Sequence, residues 1–414
     1  MPRGGEVGRD RPHPWPEAGG VSAIDGGPVR RILVERGLKE AEGNKTAGVG
    51  PVTAILGPRQ SGKTTLARTF GARHFFDLED PTDHAMLAEA QLTLAPLSGL
   101  IVIDEVQRAP ELFPLLRHLV DTRPDQRYLI LGSASRDLIR QSSESLAGRI
   151  AYHELHGFRL DDVGAEHWRR LWLRGGLPPS FTARDDGRSR RWRDQYIATF
   201  LERDIPQLGI SIPSATLRRF WLMLCHYHGQ VVNYSEFARS FGVSDMTVRR
   251  YLDILEGTFV VRLLQPWHSN LGKRLVKRPK LYVRDSGLLH ALLAIGSERE
   301  LATHNKLGAS WEGFALDVAA RSIGKRTAEL AFWATHSGAE VDLFWQEHGR
   351  NWAIEVKYGS APRLTPSMTS AIQDLGLAHL WVVHPGEKAY AIGPQASALP
   401  LVSIPPEWLY PERR

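Results

Sequence analysis

At 414 residues, with 42% apolar and 24% charged residues, the chain has the make-up of an ordinary globular protein but exceeds the length of a single core, which excludes a disordered polymer and a lone small domain. The single cysteine, Cys225, excludes an internal disulfide and any multi-cysteine metal site and fits a reducing compartment, with the cytoplasm as the default. A net charge of +6 suits an anionic partner without requiring one, and no window approaches the ~20 apolar residues of a membrane helix, nor does an apolar stretch follow the N-terminal charges as in a secretory signal.

Residues 1–28 are Gly, Pro and charge with scarcely any apolar periodicity, and they read as a flexible tail. Pro28 to Ala41 has a proline at its start and apolar residues at helical spacing, which predicts a short helix. Short apolar runs follow at Val52–Leu56, His74–Leu78, Leu100–Asp104 and Tyr128–Gly132, with helical patterns between them. This alternation predicts an α/β domain over 29–160 with a parallel sheet and a ligand crevice at the carboxyl ends of its strands. Residues 161–212 turn helical and rich in Trp and Arg, as a lid or linker packed on the sheet would be. A helix-turn-helix pattern over 213–278 comes next, then a mixed helix and strand region over 279–400 and a tail over 401–414. No internal repeat is visible.

The strongest chemical signal is Gly57-Pro58-Arg59-Gln60-Ser61-Gly62-Lys63-Thr64-Thr65, which follows an expected strand and opens an expected helix. That context marks a phosphate loop of the P-loop NTPase class. The glycines admit backbone N–H groups to the phosphates of ATP, Lys63 neutralises the β/γ charge, and the Thr64 hydroxyl ligates Mg²⁺. LIVIDEVQ, Leu100 to Gln107, ends a strand on Asp104 for the Mg²⁺ shell and Glu105 for the attacking water. Ser133, at the end of the next strand, is either a γ-phosphate sensor or a structural serine. Arg149 is either a transition-state cation, acting in cis or from a neighbouring subunit, or a surface arginine.

In the helix-turn-helix, Ser235 and Ser244 are candidate caps, Gly242 makes the turn, and Phe237, Val243, Val248 and Leu252 face inward. Asp245, Thr247, Arg249 and Arg250 then face outward. The basic run Lys273, Arg274, Lys277, Arg278 and Lys280 would form a phosphate-contacting wing. DNA contact and protein packing remain equal readings, because the pattern specifies fold better than function. Farther on, Gly338 to Gly359 reads as a hairpin in which Glu355 and Lys357 share a face and Asp342 stands on the partner strand. Glu312, on a helical stretch, offers another carboxylate. Such a set suits a divalent ion (Mg²⁺ or Mn²⁺) and phosphodiester cleavage, but equally a solvated hairpin of alternating charge.

With these residues in view, the chain from about Val29 onward resembles a bacterial and archaeal family of AAA+-type ATPases joining an AAA_14 domain to a DUF4143 domain. The resemblance rests on GPRQSGKTTL, FFDLEDP, LIVIDEVQRAPELF, LILGSAS, SLAGR, RGGLPPS, YIATFLERDIPQLG, RPKLYVRDSGLL, GAEVDLF and AIEVKYG. It implies an AAA+-like ATPase core, a winged helix, and a restriction-endonuclease-like end domain with a D…ExK signature. Asp342, Glu355 and Lys357 fall on that signature, and Glu312 on its helix position. The Gly/Pro-rich leader departs from the family pattern.

Two functions follow: an ATP-driven enzyme acting on DNA, with or without nuclease activity, and an ATP-regulated signalling ATPase whose later domains recognise protein partners. A homo-oligomer is compatible with both.

Overall fold

The computed structural model describes residues 51–133, 142, 144–207, 212–267, 275–325 and 327–404. The expected tail, the helix expected over Pro28–Ala41, and Lys273 and Arg274 lie outside them. No helix among the described residues is long and apolar enough to cross a membrane.

Five strands, β1 (Val52–Leu56), β2 (His74–Asp77), β3 (Gly99–Asp104), β4 (Gln126–Gly132) and β5 (Ile150–Glu154), form a parallel sheet in the order β2-β3-β4-β1-β5. Four of them coincide with the apolar runs. The fifth, IAYHE, is a partly exposed edge strand, so it lacks the continuous apolar run that declares a strand buried on both faces. Side chains alternate across the sheet. Val52, Ala54 and Leu56 enter one core with Ile101, Ile103 and Phe113, whereas Ile55 enters the other with Val102, Leu129 and Leu66.

Residues 160–207 are helical as expected, with helices at Leu160–Val163, Trp168–Arg174, Pro178–Phe181 and α1 (Asp186–Thr199) and a π-helical turn at Phe200–Asp204. They do not lay their apolar faces on the sheet. Leu171, Trp172, Phe181, Tyr196 and Phe200 share a core with Trp221, Trp311 and Phe314 of the later segments. Trp172 and Trp311 stand edge to face at 5.3 Å, and the Trp172 indole N–H donates to Ser310 Oγ at 2.9 Å. Rings of this size gain most where other aromatics surround them, and the later segments supply those.

Two helices joined by a short turn lie where the helix-turn-helix is expected. α2 (Ser214–His226) leads through β6 (Gln230–Val231) to α3 (Tyr234–Phe241) and α4 (Asp245–Gly257), followed by β7 (Val261–Pro266) and β8 (Lys280–Val283). Gly242 ends α3 at φ 65, and Ser244 caps α4 by accepting from the Thr247 N–H at 3.1 Å. Ser235 does not cap: it lies inside α3 and donates to Asp245. Phe237, Val248 and Leu252 are buried and Val243 is partly so. Strand β8 pairs antiparallel with both β6 and β7, so the boundary expected at 278/279 falls just ahead of a strand hydrogen-bonded to the helix-turn-helix side.

The end region has β9 (Ala331–Ala334), β10 (Glu340–Glu347), β11 (Arg350–Val356), β12 (Leu377–His384), β13 (Tyr390–Gly393) and β14 (Ala396–Pro400). The expected hairpin is β10 and β11, antiparallel with Leu343 opposite Ile354. Through Gln265 and Pro266, β7 pairs parallel with β9, giving a sheet of nine described strands, β13-β14-β12-β11-β10-β9-β7-β8-β6. α5 (Leu307–Ile323) packs in the core of one face and α6 (Pro366–Leu375) in that of the other. Leu401 and Ile404 are buried, so the packed chain continues past the expected boundary at 400.

Candidate functional site

The phosphate loop joins the end of β1 to a helix, Lys63–Arg68, whose preceding residue Gly62 takes φ 95, a conformation that a side chain disfavours. Gly57 is needed for a different reason. A Cβ there would lie 2.0 Å from the Leu155 carbonyl oxygen, because the loop leaves the sheet pressed between the ends of β4 and β5. Lys63 is buried, and its ammonium donates to the Gly57 and Pro58 carbonyls at 3.0 and 2.9 Å. Burial lowers its pKa, opposed by the charges of Glu105 and Asp104. The Ser61 hydroxyl is buried without a protein partner, an orphan of the kind a bound ligand satisfies.

The loop meets the acidic strand directly. Thr64 Oγ1 donates to Asp104 Oδ2 at 2.6 Å, and the other Asp104 oxygen accepts the Glu105 N–H at 2.8 Å. Burial raises the Asp104 pKa, and the neighbouring Glu105 adds to the rise. A hydroxyl and a carboxylate converging beside a buried lysine are oxygen donors of the type Mg²⁺ prefers, so the residues fit that ion. Glu105 sits at φ 55, left-handed for a residue with a side chain.

Because β4 runs between β1 and β3, Ser133, the residue that follows it, comes to lie beside Glu105, 3.4 Å from Oε2. Gln107 donates to Ser133 Oγ at 2.9 Å and also to Glu105, tying the three together. Gln107 is a residue that motif reading passed over, although it lies in the quoted stretch two positions beyond the glutamate. Arg59 is anchored to Asp204 at 2.8 Å and Glu79 at 3.0 Å, which links the loop to the π-helical turn. Gln60 is at φ 58 and exposed, and Thr65 is the third residue of the helix.

Arg149 is not brought to this site. It immediately precedes β5, beside the start of β1 and thus at the opposite end of the sheet from the phosphate loop, where it forms a two-pronged pair with Asp121 at 2.6 and 2.9 Å. A role in cis is therefore corrected: the strands that carry it point their other ends at the phosphates.

On the helix-turn-helix, Asp245, Arg249 and Arg250 are exposed and Thr247 partly so, while the Arg249 guanidinium lies over the Tyr234 ring at 3.9 Å. Lys277 and Arg278 are exposed, and Arg278 donates to Asn233 Oδ1 at 3.1 Å. Lys280 does not belong with them. It is only 3% exposed and turns into the C-terminal carboxylates.

Those carboxylates do converge. Lys280 of β8 donates to Glu312 of α5 and to Glu340 and Asp342 of β10, Tyr282 of the same strand donates to Glu312, and Glu355 of β11 stands close enough to Asp342 and Glu340 to be affected by their charges. Asp342 Oδ2 accepts the Val356 N–H at 2.9 Å, and Glu355 Oε1 accepts from Lys357 at 2.6 Å, as residues on one face of a strand should. Burial, reinforced by Asp342, pushes Glu355 up to about 8 and Glu312 up to about 7. Lys280 and Tyr282 carry no sequence signal for this site, since they lie thirty or more residues from every carboxylate they touch.

Residues 49–163 match the model of an AAA domain, AAA_14. Residues 165–299 match DUF8612 and residues 307–404 match DUF4143, both domains of unknown function. Two relatives named uncharacterized proteins, Rv2008c of Mycobacterium tuberculosis and Mb2031c of Mycobacterium bovis, are each 50% identical to the chain over 385 residues, covering 91% of it and 87% of their own length. Among solved structures, a chain in "Structure of Drosophila ORC bound to DNA" aligns with 66% of this chain and 97% of its own at 14% identity and a TM-score of 0.26, too low to carry an argument.

Proposed function

We propose a function from family and geometry together: the chain belongs to the proteins that join an AAA domain, AAA_14, to a DUF4143 domain. In this reading it is an AAA+-like, Mg²⁺-dependent ATPase whose nucleotide cycle drives a winged helix and a restriction-endonuclease-like module on DNA. The observation that carries the ATPase is the 2.6 Å bond from Thr64 to Asp104, which joins the phosphate loop to the acidic strand across the intervening β4.

The residues divide the work by position. Lys63 leaves the loop carbonyls for the phosphates, exchanging two neutral acceptors for charged ones. The backbone N–H groups of Gly57 to Thr65, with the helix N-terminus behind them, bind the triphosphate, and the orphan Ser61 hydroxyl gains a partner. Thr64 and Asp104 hold Mg²⁺, which when bound neutralises phosphate charge. Glu105, oriented by Gln107 and Ser133, aligns the attacking water. Arg59, clamped by Asp204, is the route by which the loop informs the helical segment.

For DNA, the support is the order helix–strand–helix–turn–helix–strand–strand, the topology of a winged helix, with Arg249, Arg250, Lys277 and Arg278 exposed beside it. The alternative, an ATP-regulated ATPase that recognises a protein, draws on Lys280, which is withdrawn from the basic surface. ATP turnover measured with and without double-stranded and branched DNA separates the two. The DNA reading expects stimulation that disappears in high salt. Lys63→Ala should abolish nucleotide binding, and Glu105→Gln should bind ATP while losing about 10²–10⁴-fold in turnover. Normal turnover in Glu105→Gln would remove the assignment of that residue.

A further inference from the structure

The C-terminal carboxylates already have a cation. We infer that the ammonium of Lys280 is the resident cation of the Glu312, Glu340 and Asp342 cluster, that it keeps Mg²⁺ and Mn²⁺ out, and that the module therefore recognises its partner without cutting it. This rests on reading the C-terminal module as nuclease-like, since only then is a divalent ion expected there.

Lys280 is built into this place. It comes from β8, whose hydrogen bonds lie on the helix-turn-helix side, and its side chain runs beside the Phe332 ring to reach Asp342 Oδ1 at 3.1 Å, Glu312 Oε1 at 3.5 Å and Glu340. At 3% exposure the ammonium has left water, which is tolerable only where opposite charges and hydrogen bonds replace the lost hydration. Three carboxylates do so here. Those same charges hold Lys280 in its protonated form against the effect of burial.

A divalent ion would have to share these oxygens. Mg²⁺ takes about six oxygens in near-ideal octahedral geometry. Four of the oxygens it would draw on are already committed: Asp342 Oδ1 to Lys280, Asp342 Oδ2 to the Val356 N–H, Glu312 Oε1 to Tyr282 and Lys280, and Glu355 Oε1 to Lys357. Glu355 Oε2, on a side chain only 8% exposed, is the one carboxylate oxygen of Glu355 without a partner, and it marks where a cation would be drawn in if Lys280 were absent. With the ammonium within 3.5 Å of two of the required carboxylates, an entering dication meets a like charge at close range in a site with little water to screen it. No group of three or more His, Cys, Asp or Glu among the described residues is arranged to hold a metal ion. The D…ExK residues thus share space with a cation the chain provides itself, and their present geometry does not fit the metal their spacing suggests.

Lys280 also spans two parts of the fold. Its backbone belongs to the strand pair beside α4, and its head group lies among residues of α5 and β10. The cluster therefore fastens the helix-turn-helix to the C-terminal module.

The test uses the nucleotide-free full chain and Mn²⁺, titrated by electron paramagnetic resonance and calorimetry, with folding checked by circular dichroism. Wild type and Lys280→Arg should show no Mn²⁺ site that Asp342→Asn removes. Lys280→Met should gain one site, and the Lys280→Met, Asp342→Asn double variant should lose it. If Lys280→Met does not fold, Lys280→Gln takes its place, and the comparison of wild type with Asp342→Asn can overturn the inference whether or not either variant folds. A wild-type Mn²⁺ site lost in Asp342→Asn overturns the inference, as does a folded Lys280→Met or Lys280→Gln that gains no Mn²⁺ site over wild type. Cleavage of supercoiled DNA is read in parallel. Mn²⁺ binding by Lys280→Met without cleavage leaves the Lys280 assignment standing and counts against the nuclease-like reading alone.

Discussion

Replacing Gly57 by alanine tests whether the phosphate loop is shaped by the sheet beneath it. The added Cβ would stand 2.0 Å from Leu155 O and 2.9 Å from Leu155 C, with Ser61 Oγ at 3.2 Å. A carbon and a carbonyl oxygen approach no closer than about 3.3 Å even in favourable C–H···O contacts, so the loop and the end of β5 must part by more than about 1 Å. One backbone hydrogen bond spans that seam, from Leu155 N to Leu56 O at 2.7 Å, and a second ties the displaced residue to β4 on its other side, from Gly57 N to Gly132 O at 3.3 Å. Losing them at about 1 kcal/mol each, with about 1–3 kcal/mol for overpacking, gives a destabilisation of about 3–5 kcal/mol. Gly62→Ala is the control: it has open space, with Pro178 Cγ at 3.9 Å, but carries the strain of φ 95, about 1–2 kcal/mol. Urea unfolding followed by tryptophan fluorescence compares the two, and binding of a fluorescent ATP analogue reads the loop directly. A Gly57→Ala variant within about 1 kcal/mol of wild type that still binds nucleotide would refute the argument from close approach.

Neutralising Arg249, Arg250, Lys277 and Arg278 together should weaken DNA binding across sequences and flatten its salt dependence by up to about four phosphate contacts' worth of slope, read by anisotropy at several salt concentrations; an unchanged slope removes this face from the interface. Arg149→Ala should leave the turnover of dilute protein within about twofold of wild type, because its partner Asp121 is a surface contact. A larger loss that grows with protein concentration would instead reveal an arginine supplied between subunits. Glu355 titrates near 8 in the folded chain against an ordinary 4.5, so the native state keeps a proton that the unfolded chain releases. Its contribution to stability should therefore fall as pH rises from about 4.5 to about 8, and the gap in urea midpoint between wild type and Glu355→Gln should shift steadily over that window. A constant gap would show that the carboxyl is charged throughout.

Local chemistry made the candidate nucleotide site legible. The glycines, lysine and threonine of the phosphate loop lie within nine consecutive residues, and the apolar run before Asp104 announces both a buried strand and the carboxylate at its end. The helix-turn-helix was equally readable, since Gly242, Ser244 and the periodic apolar residues are local signals. Ser235 was misread as a cap because serine serves equally well inside a helix, where here it bonds across the turn to Asp245.

What the residue order determined alone was therefore chemistry confined to one segment: the phosphate loop, the acidic strand end, and the shared face of Glu355 and Lys357. Tertiary structure decided everything that depends on distant strands becoming neighbours. It placed Arg149 at the far end of the sheet, turned the aromatic faces of residues 160–207 toward Trp311, and drew Lys280 out of an apparently basic wing. A lysine's charge is visible in sequence, but whether it meets water or three carboxylates depends on which way its strand faces. In β8 that direction is set by pairing with β6 and β7, and no residue near Lys280 in the chain records it.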